Sequence, residues 1–262
     1  MWYMPLKRHF PLLVHPVRWS RWVSMHALLP RVAWHIERKA RGSVMAGPFK
    51  GLRLACWQRG DLTKLLGLYE RCLQPTIERV IARKPRRVID VGAEYGYYAL
   101  GLTMRLPESE VIAYEIDPTR LSLLMRYRKL NKLDDRLVIR GGCTIETLAA
   151  DTADSAGAFI LMDIEGGEAE LLDPVRVPGL RTAEILVELH EMFVPGVTDD
   201  LRQRFAATHD LKLIKMDSWR IDDIDAAKFG LENTNSRVLA RLLDEGRGSD
   251  MSWLHMLPKA AV

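Results

Sequence analysis

The 262 residues predict an α/β fold built on a mostly parallel sheet, and three observations carry that expectation. An apolar, β-branched run, Val88 to Val91, leads through Gly92 and Gly96 into a segment that can continue as a helix. A second apolar run, Val111 to Tyr114, ends at Glu115, 25 residues after Asp90. From there onward, apolar runs of strand length alternate with helical stretches, a pattern that gives parallel strands joined by right-handed crossovers.

The elements follow in order. Residues 1–47 form a basic, Trp-rich arm: Trp2, Trp19, Trp22 and Trp34 stand among Lys7, Arg8, Arg18, Arg21, Arg31, Arg38, Lys39 and Arg41. Prolines at 5, 11, 16 and 30 divide the arm into short pieces, with helices expected over 19–29 and 32–41. Residues 48–84 are a lead-in, with a short strand or hairpin arm over 48–57 and helical pieces over 61–70 and 75–81. Tyr69 and Glu70 lie near enough to the first strand to reach back over a ligand, although packing is their plainer role.

The main domain spans 85–262. Its strands are read at 88–91, 111–115, 137–140, 158–163, 185–190, 211–215 and 253–257. The last of these reads as an edge or an antiparallel closing strand. Helices are read at roughly 96–106, 119–131, 198–208 and 236–243, with Pro118 at a helix start where its missing N–H does no harm. In such sheets ligands bind beyond the carboxyl ends of the strands. Asp90, Glu115, Gly141 to Cys143, Asp163, Glu188 and His190 all fall at those ends.

The glycine spacing narrows the ligand. An acid about 20 residues past a glycine turn is placed to meet ribose hydroxyls. A dinucleotide turn wants G-x-G-x-x-G, whereas Ala93-Glu94-Tyr95 separates the two glycines here. Glu94 would repel a pyrophosphate, so a nucleoside with a positive centre and no phosphate fits better than NAD. S-adenosylmethionine meets that description.

Composition agrees with an ordinary globular body: 48% of residues are apolar and 27% charged. The arm carries eight basic residues against Glu37, a net of +7, so the total of +4 leaves the remainder mildly acidic. That speaks against a nucleic-acid groove across the main domain. Three cysteines, Cys56, Cys72 and Cys143, are too few for a disulfide framework, and with no apparent leader or spanning stretch a cytoplasmic location is expected. The aromatic and basic arm suits packing on the body or on a second copy, with peripheral membrane contact as the other option.

The run Val88 to Gly96, Glu115, the segment Leu161-Met162-Asp163-Ile164-Glu165-Gly166-Gly167-Glu168-Ala169-Glu170-Leu171-Leu172, and Ile185-Leu186-Val187-Glu188-Leu189-His190 together resemble the class I S-adenosylmethionine-dependent methyltransferases. Within them the chain is similar to the FkbM-type family, over roughly residues 85–215. It departs from that pattern at Glu94-Tyr95 and at Gly167. The resemblance implies a Rossmann-like seven-stranded sheet ordered 3-2-1-4-5-7-6 with strand 7 antiparallel, and O-methylation as the usual chemistry. It implies that Asp90, Gly92, Glu94, Tyr95, Gly96, Glu115, Gly142 and Cys143 surround S-adenosylmethionine. Glu115 would take the ribose hydroxyls, Gly92 and Gly96 would admit the methionine and ribose part, and Gly142 with Cys143 would lie by the adenine through backbone contacts.

On the acceptor side, Asp163, His190 and Glu188 are the candidates for catalysis. His190, with an ordinary pKa near 6.5, would take the proton of an alcohol, with a carboxylate orienting it. The same three residues could hold a divalent metal, although none is expected. Glu165, Glu168 and Glu170 read as caps and lining of the next helix. Trp219, Arg220, Glu245, Arg247 and Trp253 read as a roof over a small-molecule or sugar-like acceptor. Two alternatives stand beside an O-methyltransferase: an RNA-directed enzyme using the basic arm, and a non-catalytic protein that binds S-adenosylmethionine.

Overall fold

The computed structural model describes residues 29–54, 61–154, 156–216, 224–243 and 251–259. Cys56, Trp219, Arg220, Glu245, Arg247, residues 19–28 of the helix read over 19–29, and the first three tryptophans lie outside these residues. The chain opens with α1 (Leu29–Ala40), then α2 (Asp61–Leu66), a 3₁₀ turn (Arg71–Leu73) and α3 (Gln74–Arg83). The sheet begins with β1 (Arg87–Val91), followed by α4 (Tyr97–Arg105), β2 (Glu110–Tyr114), α5 (Pro118–Leu130) and β3 (Leu137–Arg140). Next come α6 (Ile145–Thr152), β4 (Phe159–Met162), α7 (Glu168–Leu171), β5 (Glu184–Leu189) and α8 (Val197–Phe205). The described chain closes with β6 (His209–Lys215), α9 (Ala226–Phe229), α10 (Ser236–Leu242) and β7 (Ser252–Pro258).

The seven strands are ordered β3-β2-β1-β4-β5-β7-β6. The pairs among β1 to β5 are parallel, and β7 runs antiparallel to both β5 and β6. β7 is therefore an interior strand, and β6 forms the edge. That position explains why Trp253, Leu254 and Met256 are buried while β6 keeps polar and half-exposed residues.

The sheet is covered on both faces, which is why its central strands read as unbroken apolar runs. Val88, Ala113, Phe159, Leu161, Leu186 and Trp253 pack on one side with α3, α4 and α5. Ile89, Val91, Tyr114, Ile160, Met162, Val187 and Leu254 pack on the other with α6 and α8. Strand alternation then assigns the polar residues their face. Asp90 follows Val88, Asp163 follows Leu161, and Glu188 follows Leu186, so all three emerge on the face that carries Trp253. Glu188 and Trp253 are direct partners across β5 and β7.

Three expectations take a more definite form. Of the short strand or hairpin arm read over 48–57, residues 48–54 take the hairpin form, with an antiparallel bridge between Ser43 and Arg53 across a tight turn. Asn131 fastens that turn to the end of α5, accepting from the Arg53 N–H at 2.8 Å and donating to the Arg53 carbonyl at 2.9 Å. The helix read over 198–208 ends at Phe205, and the following strand begins at His209, where the imidazole donates to the Ala183 carbonyl at 2.9 Å. The described end of the arm packs on the body, as one of its readings has it: Ile36 and Ala40 of α1 are buried with Leu62, Leu65, Phe229 and Leu239 in a satellite core. No helix among the described residues is long and apolar enough to cross a membrane.

Candidate active site

The turn after β1 is hooked over the end of β2. The N–H groups of Gly92 and Ala93 both donate to the Tyr114 carbonyl, at 3.0 and 2.9 Å. Gly92 has φ +87°, and a Cβ there would lie 1.8 Å from the Asp163 carbonyl oxygen. Gly96 has φ +95°, and its Cβ would strike Leu124 at 2.3 Å. Both glycines are demanded by left-handed backbone and by close protein packing. The space they save is filled by Asp163 and Leu124, so the expected room for a ligand is not what requires them.

Glu115 clamps this turn. Its Oε2 accepts from the Glu94 N–H at 2.8 Å, and its Oε1 accepts from the Asp117 N–H at 2.7 Å. Asp117 in turn caps α5, accepting from the N–H groups of Thr119 and Arg120. Each Glu115 oxygen keeps a second lone pair for a ribose hydroxyl, but its first task is to hold the loop.

A cavity of about 240 Å³ opens at the carboxyl ends of β1, β4 and β5. Its acidic lining is Asp90, Glu94, Asp163, Glu165 and Glu188, set against two cations, Lys64 and Arg120. Tyr69, Tyr97, Tyr98 and Trp253 supply aromatic walls. Of the residues anticipated from sequence, Asp90, Gly92, Glu94, Asp163 and Glu188 line it. Tyr95, Gly96, Glu115, Gly142, Cys143 and His190 stand behind or beside it.

Glu94 does not present a bare charge. Lys64 Nζ donates to its Oε2 at 2.7 Å and to the Tyr95 hydroxyl at 2.6 Å, and sits 4.1 Å from the centre of the Tyr95 ring. With Lys64 as its counter-charge, Glu94 alone would not repel a pyrophosphate; the remaining carboxylates of the wall would. Tyr95 packs edge-on against Tyr127, with ring centres 6.2 Å apart.

Asp90 is a strongly perturbed group of the wall. Burial pushes its carboxyl up to about 8, the Ala99 backbone N–H works against that, and the nearby Asp163, Glu115 and Glu70 charges raise it further. Tyr98 donates to the buried Glu70 carboxylate, and burial together with that negative charge keeps its phenol well above the usual range.

His190 is buried, at 3% exposure, and lies behind Asp163. Its Nδ1 donates to Glu168 Oε1 at 2.7 Å. Its Nε2 lies 3.5 Å from Asp163 Oδ1, 3.7 Å from Glu188 Oε2 and 3.8 Å from Glu165 Oε2, with no hydrogen-bond partner among the described residues. Burial works to lower its pKa, but the bond to Glu168 and the charges of Glu168, Asp163 and Glu165 outweigh it, so the net shift is upward. The raised pKa keeps the imidazole protonated over more of the neutral range, so less of it is free to take a proton there, and Asp163 is the group of the pair that lines the cavity.

Glu168 is not a helix-lining acid as anticipated. It is fully buried and also accepts from the N–H groups of Ile164 and Gly166, at 3.3 and 3.2 Å. Burial would raise its carboxyl; the bond from His190 and the backbone donors hold it below the usual carboxylate range.

At the β3 end, burial pushes the Cys143 thiol up to about 11, which rules it out as a thiolate nucleophile near neutrality. Ile116, 82% exposed, stands over Gly142, whose missing Cβ would come 3.6 Å from Ile116 Cδ1. An exposed isoleucine facing a bare backbone makes an apolar slot wall. Sequence reasoning missed Ile116, Lys64 and Arg120; only Ile116, apolar directly after a strand-end acid, left a readable signal.

No family model matches the chain, and no curated protein matches it. Among solved structures it is similar to the SAH-bound Podospora anserina methyltransferase PaMTH1, at 15% identity over 97% of this chain and 100% of that one, with a TM-score of 0.48. It is also similar to cofactor-bound Rv0187 from MTB, at 13% identity over 94% and 98% of the two chains, TM-score 0.42. A third is the B. subtilis M1A22 tRNA methyltransferase TrmK, at 11% identity over 71% and 65%, TM-score 0.42.

Proposed function

We propose that this chain binds S-adenosylmethionine at the β1–β2 rim and transfers its methyl group to a hydroxyl oxygen of a small-molecule or sugar-like acceptor. The observation that carries the reading is the acidic wall beside the glycine turn: Glu94, Asp163, Glu165 and Glu188, with Asp90 able to ionise beside them, against Lys64 and Arg120. A sulfonium and an ammonium gain from such a wall, whereas phosphates are repelled by it. The fit extends along the rim, where Glu115 has lone pairs for ribose hydroxyls and Ile116 with Gly142 offers an apolar slot for a base.

When bound, the cofactor supplies an electrophilic methyl on sulfur. The chain's own part is to hold, align and deprotonate. Asp90 lies at the floor of the cavity and can carry or give up a proton near neutrality, so it can balance an arriving positive charge. Asp163 and Glu188 face the cavity from adjacent strands and are placed to accept the acceptor's proton. His190 acts through Asp163 rather than on the acceptor. Trp253 contributes a buried indole N–H without a hydrogen-bond acceptor among the described residues, suited to hold an acceptor oxygen. Aligning oxygen and methyl at about 3–3.5 Å supplies much of the rate enhancement in such displacements.

Calorimetric titration with S-adenosylmethionine, S-adenosylhomocysteine and NAD tests the reading. Saturable binding of the first two but not of NAD supports it; no binding of either sulfur nucleoside sinks it. Trp253→Phe should raise the acceptor KM severalfold while leaving cofactor affinity unchanged.

A further inference from the structure

We propose that Asp163, Glu165 and His190 form a divalent-cation site at the carboxyl ends of β4 and β5, of the kind that takes Mn²⁺ or a neighbouring first-row ion. Three ligand atoms, one from each residue, lie within 4.8 Å of one another. The independent sign is His190 Nε2, buried, without a hydrogen-bond partner, and turned toward carboxylates.

The separations distinguish a shared ion from direct bonding. Nε2 lies 3.5 Å from Asp163 Oδ1 and 3.8 Å from Glu165 Oε2, long for hydrogen bonds. Two ligands each about 2.0–2.2 Å from one ion stand about 3–4 Å apart. The other side of the ring supports the same conclusion. Glu168 Oε1 accepts the Nδ1–H hydrogen bond at 2.7 Å, so in the neutral ring that a cation would bind, Nε2 carries the lone pair and faces the cluster. A carboxylate behind a histidine in this way fixes tautomer and ring orientation at metal sites. One imidazole with two carboxylates suits manganese, iron or zinc better than calcium. Glu188 Oε2, 3.7 Å from Nε2, is near enough to serve the same centre.

The ion's binding stands by itself; its use in catalysis rests on the methyl-transfer reading. There Asp163, Glu165 and His190 would hold the ion, which would supply acidification of an acceptor hydroxyl beside it. The hydroxyl proton would then pass to the Glu188 carboxylate, left outside the ligand set. The oxygen then forms the new O–CH₃ bond as the S–CH₃ bond breaks, and sulfur keeps the electron pair.

The test is titration of the full chain with Mn²⁺, followed by paramagnetic resonance of the free ion and by broadening of histidine ring signals. One ion per chain is expected, with selective broadening of His190 among the seven histidines. Glu165→Gln changes an exposed side chain and should leave the thermal transition in place while weakening binding at least 10-fold. Asp163→Asn should do likewise, and Glu168→Gln should cost about 10–100-fold through the ring it orients. Binding that ignores these substitutions, or no binding with a His190 ring that stays doubly protonated, overturns the proposal. Mn²⁺ binding without S-adenosylmethionine binding would uphold the ion site and sink the methyl-transfer reading; the reverse result would do the opposite.

Discussion

The backbone N–H of Glu94 donates to Glu115 Oε2 at 2.8 Å, so the turn after β1 is tied to the acid after β2. Two residues that a nucleoside site would use separately are therefore one unit. Glu94 itself sits at φ +52°, a conformation that a non-glycine residue adopts at some cost, and the Glu115 carboxylate helps to hold it there.

Glu115→Ala should consequently fail twice. It strands the N–H groups of Glu94 and Asp117, at roughly 1–3 kcal/mol of stability, and it removes the ribose acceptor. S-adenosylmethionine affinity should fall at least 10-fold in calorimetry, and the urea midpoint should drop. A variant with an unchanged midpoint would show that the clamp contributes nothing.

Asp90 makes stability depend on pH with a definite sign. Its carboxyl is raised from 3.8 to about 8, so the folded chain keeps a proton that the unfolded chain releases. The contribution is full below the unfolded value and is lost as pH rises toward the folded value. At about 1.4 kcal/mol per unit, the loss over that window is on the order of several kcal/mol. Asp90→Asn should flatten this slope in denaturation curves taken at mildly acidic and mildly alkaline pH. An unaltered slope would remove Asp90 as its source.

Gly92 and Gly141 make a paired contrast. Gly92→Ala places a Cβ 1.8 Å from the Asp163 carbonyl oxygen at φ +87°, while a Cβ on Gly141 meets nothing within 4 Å. The first should cost at least ~3 kcal/mol, combining strain with a clash that the backbone cannot relieve; the second should stay within about 0.5 kcal/mol. Thermal unfolding of both variants checks this, and equal effects would contradict it.

These contrasts show what a sequence can and cannot disclose. β1, β2, β4 and β5 were legible because their residues are buried on both faces and read as unbroken apolar runs. Asp90, Asp163 and Glu188 were legible because strand ends in such sheets face ligands. The role of Glu168 was not: five residues after Asp163, it reads as a helix-start acid, and only the return of β5 brings His190 against it. His190 is legible as a strand-end residue, but its pairing with a buried carboxylate is not, because it depends on that same long-range packing. Lys64 belongs to a six-residue helix before the sheet, and nothing local links it to Glu94, 30 residues later.

Lys64 nonetheless organises the mouth of the site. It is buried, donates to Glu94 Oε2 and the Tyr95 hydroxyl, and lies 4.5 and 4.1 Å from the ring centres of Tyr69 and Tyr95. Lys64→Met fills much of the same volume but leaves Glu94 facing other carboxylates without its counter-charge, which should cost roughly 1–3 kcal/mol. Glu94→Gln alone should also destabilise, because it leaves a buried ammonium short of a partner. The double variant removes both charges and should recover a large part of the loss, as deletion of a whole pair does when packing survives. Urea denaturation of the wild type, both single variants and the double variant gives the coupling free energy directly. A coupling of about 1 kcal/mol or more is expected; strict additivity would mean that the two side chains merely lie near each other and that Tyr95 alone anchors Lys64.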